Sequence, residues 1–314
     1  MSHNHRADII VIGASAGGVG AMMTFVAELK PDFQAAIFVT IHQPARGVSR
    51  LPEVLSHNGP LPASHPMEGS PIQAGHIYVA PPNRHLLVHR DRIELGKGPK
   101  KNGQRPCIDV MFRSVALAYG PRVIGILLTG ALDDGSAGLW EIKQRGGKAI
   151  VQDPKDALFP DMPRNAMERV PIDYVMPLRG LAPLVTDMVG QPVVLQENTE
   201  GEPMTDIRHT VLTCPDCRGP ISESRRGSIT EFACRVGHRY SPMTFLAAHA
   251  ETRERVLWAA VVALEEGADI AHELAAHSTV EVQRLLEQEA NNNARSAEKI
   301  RDLLLSSIQE STGI

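Results

Sequence analysis

The first residues able to do chemistry are a serine and the glycines around it. In residues 8–20 (DIIVIGASAGGVG) an apolar run, Ile9-Ile10-Val11-Ile12, passes into Gly13-Ala14-Ser15-Ala16-Gly17, and a helix-like stretch follows from Val19. Glycines on both sides of a serine permit a strand-to-helix turn that a Cβ would obstruct. Such a G-x-S-x-G turn projects the hydroxyl at the carboxyl edge of a sheet, near the N–H groups of a helix start. The pattern offers either an activated serine or a phosphate cradle. Spacing weighs against the cradle. Gly13, Gly17, Gly18 and Gly20 do not give G-x-G-x-x-G, and the second apolar strand ends on His42 where a dinucleotide site wants an acid. No Gly-Lys-Ser/Thr of a P-loop occurs, and none of the four tyrosines has a lysine four residues on.

An activated serine needs a base and a group that orients the base. His42 follows the apolar segment 36–41 and precedes Gln43-Pro44, so the chain turns outward there. Asp133 and Asp134 follow the segment 123–128 in LLTGALDDGSAG, another glycine-bracketed turn that opens a helix. Taken singly, each has an ordinary reading: Ser15 as a packing residue of a tight turn, His42 as a loop histidine, Asp133 or Asp134 as a helix N-cap. Asp109, in PCIDVMFRS, reads as a cap near a helix start. Together the candidates gain weight, because all lie at carboxyl ends of predicted parallel strands, where ligands of such sheets bind. Spacing alone leaves Asp133 and Asp134 as alternatives.

A second cluster has metal-ligand spacing. Cys214-x2-Cys217, sixteen residues, then Cys234-x3-His238 presents three thiolates and an imidazole, enough to close a tetrahedral zinc site with no open position. Such a zinc is structural. Pro215-Asp216 and Arg218-Gly219 supply the turns of a knuckle, with His209 and Arg239 as candidates for outer contacts. The competing reading is a ribbon of free thiols.

The elements that must position these groups alternate. Strands are expected at residues 9–12, 36–41, 123–128, 149–152 and 173–176, and helices from near Val19, Ile108, Ser136, Pro163 and Leu181, the pattern of a doubly wound, Rossmann-like α/β sheet. Residues 76–80 and 85–88 flank Pro81-Pro82-Asn83 and predict an antiparallel hairpin inserted at one edge. The expected organisation is an α/β domain over 1–195, a polar linker over 196–208, a zinc-ribbon-like module over 209–243 and an α-helical hairpin over 244–314. Phe245, Ala248, Val256, Ala260, Ala263, Ile270 and Leu274 fall on one face of the first of these helices, and Leu285, Leu286, Ala297, Ile300, Leu304 and Ile308 form a looser stripe on the second. Packing on its own domain is the plainer role for the hairpin, and docking a signalling partner the sharper one.

Composition narrows the class. The 314 residues carry 43% apolar residues and a net charge of −4, which makes no electrostatic case for nucleic acid. No apolar run approaches the roughly 20 residues of a membrane span, the start MSHNHRAD lacks a signal-peptide core, and four cysteines suit a reducing cytoplasm.

The motifs IVIGASAGG, IHQP, HIYVAPPNRHLLV, RPCIDVMFRS, GILLTGALDDGSAGL and ALFPDMPRNAM, in this order over about residues 8–190, resemble the CheB-type protein-glutamate methylesterases. The resemblance implies a serine hydrolase that removes methyl esters from glutamyl side chains of methyl-accepting chemoreceptors, and that also deamidates glutamines, with no cofactor for catalysis. By motif position it makes Ser15 the nucleophile, His42 the base and Asp134 the orienting acid, with the backbone N–H of Ala131 toward the oxyanion; the N–H of Ala16, next to the serine, is a second candidate donor. Ala16 stands where the family commonly has a polar residue, Ala131 where Met is frequent, Leu132 where Gly is usual and Cys107 where Ser is typical. Family members in chemotaxis usually carry a receiver domain ahead of the catalytic one, and Ser15 leaves no room for it, so control is expected from elsewhere in the chain or from partners. The contrasting readings are a non-catalytic adaptor on the esterase fold and an esterase for small molecules.

Overall fold

The computed structural model describes residues 6–194 and 206–312. The chain runs β1 (Ile9–Ala14), α1 (Gly18–Ala27), β2 (Ala36–Ile41), α2 (Leu51–Asn58), β3 (Ala63–Ser64), β4 (Ile77–Val79), β5 (His85–Val88), β6 (Ile93–Gly96) and α3 (Ile108–Tyr119). It continues with β7 (Val123–Leu127), α4 (Ser136–Gln144), β8 (Lys148–Gln152), α5 (Asp161–Arg169), β9 (Tyr174–Met176) and α6 (Leu178–Met188). Seven strands form one parallel sheet in the order β3-β4-β2-β1-β7-β8-β9. The strands β1, β2 and β7 are buried along their whole length, which is why they read as unbroken apolar runs and not as alternating ones. One face, with Ile10, Ile12, Ile37 and Ile126, packs on Phe25 of α1, Leu55 of α2 and Leu181 of α6. The other, with Ile9, Val11 and Phe38, packs on Phe112 of α3 and Leu139 of α4. The chain winds outward from β1 through β2, then returns to β7 on the other side of β1, so the order reverses there and a crevice opens at the carboxyl ends.

The expected hairpin exists with different partners. Residues 77–79 pair parallel with β2, and it is β5 that pairs antiparallel with β6. Pro81-Pro82-Asn83 carries the chain from one sheet to the other. The hairpin turn falls at Arg90-Asp91, where Asp91 takes a left-handed φ of 70°, a conformation that Asp tolerates better than most residues.

Most of the predicted linker, through residue 205, lies outside the described residues. After it come β10 (Asp206–Thr213), β11 (Pro220–Arg226), β12 (Ile229–Cys234) and β13 (Arg239–Tyr240), an antiparallel sheet in that order. Two long helices follow, α7 (Pro242–Ala275) and α8 (Val280–Thr312). Two compact units result, one ending at Phe245 and one beginning at Leu246. The small sheet belongs to the first. Ile229 joins the core beside Trp140, Arg226 pairs with Glu141 at 2.9 Å, and Arg113 pairs with Glu231 at 3.0 Å.

The first of the helices departs from its predicted stripe: Val256, Ile270 and Leu274 are exposed, whereas Val261, Ala268, Ala271 and Ala275 are buried. On the second, Ala297 and Leu304 of the predicted stripe are buried with Ala290, and Leu285 is exposed. Ile308 lies where side chains are outside the described residues. Small alanines let two helices approach closely, so the seam runs mostly along alanines at seven-residue spacing, with Val261 and Leu304 completing it. Among the described residues no helix is long and apolar enough to cross a membrane.

Candidate active site and metal cluster

Ser15 sits in the turn between β1 and α1, with its N–H donating to Thr129 O (3.0 Å). Gly17 takes a φ of 75° as the residue that opens α1. A Cβ on Gly18 would lie 2.7 Å from Ala14 Cβ, so this pair of glycines is what lets the strand break directly into the helix. His42 leaves the end of β2, its own N–H donating to Ala14 O (3.2 Å), and its ring reaches across to the neighbouring strand end. Its Nδ1 lies 3.1 Å from Ser15 Oγ and its Nε2 2.7 Å from Asp134 Oδ2. Asp134 stands in the loop between β7 and α4. Ser15, His42 and Asp134 therefore form one hydrogen-bonded line across three strand ends.

Asp134 is buried in a nest of donors. Oδ2 also accepts the N–H of Ile108 (2.9 Å), and Oδ1 accepts those of Asp109 (3.2 Å) and Gly135 (3.0 Å), the Asn102 amide (2.8 Å) and the Cys107 thiol (3.2 Å). Two of these N–H groups open α3, so the carboxylate also meets the positive end of that helix. Burial pushes its pKa up, but the hydrogen bond and charge of His42, the Ile108 N–H and the Asn102 amide outweigh it and hold the carboxyl below the ordinary range. The Cys107 thiol is pushed well up by burial and by the Asp134 charge, so it stays protonated and donates as a hydroxyl there would.

Asp109 does not cap its own helix, which begins after Cys107 without a side-chain cap. Its carboxyl accepts the Gly138 N–H in the first turn of α4 (2.7 Å) and the Asn102 amide (2.9 Å). The starts of α3 and α4 lie side by side, so each helix is capped from its neighbour's end: α3 by Asp134, α4 by Asp109. Burial and the nearby Asp134 charge raise the pKa of Asp109 well above the ordinary value. The Asp133 side chain caps neither helix; it is buried against Arg169 (2.7 Å) and the Ser241 hydroxyl.

Ala16 follows Ser15 in the chain, and Gly130, the neighbour of Ala131, approaches it so closely that a Cβ there would lie 2.8 Å from Ser15 Cβ. The Thr129 hydroxyl donates to Ala16 O (3.0 Å), and Gly130, just before Ala131, donates its N–H to Phe159 O (2.9 Å). Leu132 takes a left-handed φ of 63°, which accounts for the glycine expected there, and the Asn165 amide holds its carbonyl at 2.8 Å. Outside His42 an open cleft of about 410 Å³ is bordered by Gln43, Pro44, Lys100, Gln104 and Arg105.

Asn102 belongs to none of the sequence motifs that mark the site. It occupies an Asn-Gly turn with φ of 51° and 68° at the two residues, closed by hydrogen bonds between Lys101 and Gln104, and that dipeptide is a strong hairpin-turn signal. The turn was legible, but the carboxylates its side chain faces were not.

In the antiparallel module Cys214, Cys217, Cys234 and His238 come together, with ligand atoms all within 4.8 Å of one another. His238 Nδ1 lies 3.6 Å from Cys214 Sγ and 3.5 Å from Cys234 Sγ, and Cys217 and Cys234 sulfurs are 3.7 Å apart. These are close to the edges of a tetrahedron with metal–sulfur bonds of about 2.3 Å. Burial raises the Cys234 pKa, but hydrogen bonds from His238 and its neighbours bring it down to about 6, which favours the thiolate a metal binds. His209 bonds Ser222 (3.3 Å) and Arg239 lies near Glu231 (3.7 Å).

A parallel sheet with a Ser–His–Asp line at its switch point defines a hydrolase-type α/β protein. Residues 10–185 match the family model described as CheB methylesterase, and the chain belongs to that family. A putative protein-glutamate methylesterase/protein-glutamine glutaminase of Leptospira interrogans is 40% identical over 178 residues, which are 56% of this chain and 92% of that protein. The protein-glutamate methylesterase/protein-glutamine glutaminase 2 of Methanosarcina mazei is 34% identical over 190 residues, 58% of this chain and 52% of that one. The crystal structure of the Thermotoga maritima CheB methylesterase catalytic domain matches with a TM-score of 0.57 and 28% identity, over 58% of this chain and 99% of that one.

Proposed function

We propose that the protein is a protein-glutamate methylesterase whose substrates are methylated glutamyl side chains of chemoreceptors, with glutamine deamidation as a second activity. The observation that carries the reading is the unbroken line from Ser15 Oγ through His42 to Asp134 at the carboxyl edge of the sheet. The names of its relatives support the substrate class.

The ionised Asp134 accepts the Nε2–H of His42, which leaves Nδ1 as the acceptor facing Ser15. Ser15 Oγ adds to the δ-carbonyl carbon of the ester as its proton passes to Nδ1. The N–H groups of Ala131 and Ala16 receive the oxyanion. Collapse expels the methoxy group, which takes the proton from His42 and leaves as methanol. Water, deprotonated by His42, then attacks the acyl-enzyme, releasing glutamate and restoring Ser15. With a glutamine the leaving group is ammonia. Lys100 and Arg105 beside the cleft suit an acidic helix carrying the glutamyl group.

Zinc in the Cys214, Cys217, Cys234 and His238 cluster is structural in this reading, supported by the ligand separations and the lowered Cys234 pKa. Unpaired cysteines fit a reducing cytoplasm. Exposed Val256, Ile270 and Leu274 favour a docking role for the helical unit.

Methanol release from a methylated chemoreceptor tests the reading. Release is expected from the wild type and not from Ser15→Ala; release that persists in the variant, or none from the folded wild type, contradicts it.

A further inference from the structure

A continuous set of hydrogen bonds joins the catalytic acid to the Cys/His knuckle, and Asn102 is its midpoint. Both protons of the Asn102 amide are used, one on Asp134 Oδ1 (2.8 Å) and one on Asp109 Oδ2 (2.9 Å). Its carbonyl oxygen accepts the Ser241 N–H (2.9 Å) and the Thr244 hydroxyl (3.1 Å), and its backbone N–H donates to Arg239 O (2.7 Å). The side chain is buried and its hydrogen-bonding capacity is filled. Ser241 reaches the other flank of the catalytic acid as well, since its hydroxyl bonds Asp133.

At the far end, residues 239–244 directly follow the ligand His238. The Cys234 N–H donates to His238 O (3.1 Å), Lys101 Nζ bonds Gly237 O within the knuckle, and the Tyr240 hydroxyl lies 3.4 Å from Cys214 Sγ. All of these residues belong to the first compact unit.

We propose that Asn102 is a positioning residue for Asp134, and that the metal-bound knuckle keeps it in place through Ser241 and Thr244. The physical reason lies in the two-sided chemistry of an amide. Turned by 180°, Asn102 would set its carbonyl oxygen against a carboxylate, and the donors Ser241 and Thr244 make the observed orientation the only satisfied one. A knuckle without metal has no centre to hold its three sulfurs and one imidazole, so residues 239–244 lose their anchor. Asn102 then loses two of its partners, and Asp134 loses the fixed donor that sets its position against His42. This rests on the role of Asp134 given under the proposed function.

The test uses the full-length protein, zinc-loaded and chelator-stripped, as wild type, Asn102→Ala, Asn102→Asp and Thr244→Val, each checked for folding by circular dichroism. Two quantities are read: kcat and KM for a small activated ester, and the downfield proton resonance of the His42–Asp134 hydrogen bond, identified by its absence in His42→Ala. In the loaded protein Asn102→Ala should lower kcat about 10- to 100-fold with KM little changed, as a displaced catalytic group does. Asn102→Asp, of the same shape but with an acceptor facing Asp134, should lose more, and Thr244→Val less. Stripping the wild type should cost as much as Asn102→Ala, and stripping that variant should cost little further. The resonance should weaken in the same order. Equal losses on stripping in wild type and Asn102→Ala, or wild-type kcat and resonance in Asn102→Ala, overturn the proposal. If no form hydrolyses the ester, the serine reading falls, and the resonance alone then decides the coupling: weakened on stripping it stands, unchanged it fails.

Discussion

Asp134 uses one oxygen to hold the His42 ring and both oxygens to receive the start of α3, so one charge serves the Ser–His–Asp line and the fold at once. Folding lowers its pKa, so the carboxylate adds stability above its unfolded value of about 3.9. That contribution is lost as pH falls from there through the lower folded value. Asp109 has the opposite sign: its pKa is raised, so its favourable share is present below the unfolded value and is lost as pH rises. Asp134→Asn should therefore lower kcat by about 10²- to 10⁴-fold and flatten the fall of Tm below about pH 4. Ester kinetics and a pH series of thermal melts read the two effects, and an unchanged acid limb would count against the carboxylate's structural share. Ser15 and His42 were legible because a glycine-flanked turn and a strand end mark them locally, whereas the choice of Asp134 over Asp133 came from the family resemblance and not from spacing. Asn102 was not legible, since its partner Ser241 is 139 residues away and nothing near Asn102 announces it.

At the scale of elements, the site depends on close approach at the strand ends. A Cβ on Gly130 would fall 2.1 Å from Met162 Sδ and 2.8 Å from Ser15 Cβ. Gly130→Ala should destabilise the protein by about 1–3 kcal/mol through overpacking and reduce esterase activity by moving Ser15, with chemical denaturation and ester kinetics as the measures. Element types along the sheet were readable, because buried parallel strands are short apolar runs between amphipathic helices. Two features were not. Asp91 makes a turn less conspicuous than Pro81-Pro82-Asn83, so the hairpin was placed one strand too early. The seam of the helical unit runs through Val261, Ala268 and Ala275 on one helix and Ala290, Ala297 and Leu304 on the other. The stripe on the first helix was read one residue out of phase, at Ala260, Ile270 and Leu274 for Val261, Ala271 and Ala275, because the large Ile270 and Leu274 outweigh their small neighbours, whereas Ala297 and Leu304 on the second helix were read correctly.

The whole molecule divides its labour between two units. The Ser15–His42–Asp134 line, the cleft and the Cys/His knuckle lie in the unit that ends at Phe245, and the helical hairpin forms the other. Ala268 is buried in the helical seam beside Ala271 and Ala290. Ala268→Leu should destabilise the helical unit by about 1–3 kcal/mol, seen as an earlier loss of helical signal on denaturation, with kcat for a small ester unchanged. A parallel fall in kcat would show that the units do not behave independently. The most direct test of the account is mass spectrometry of the acid-quenched reaction between the protein and a glutamyl methyl ester. A glutamyl ester on the peptide containing Ser15, absent in Ser15→Ala, is the expected result. An acyl group on another residue, or turnover that continues in Ser15→Ala, would contradict it.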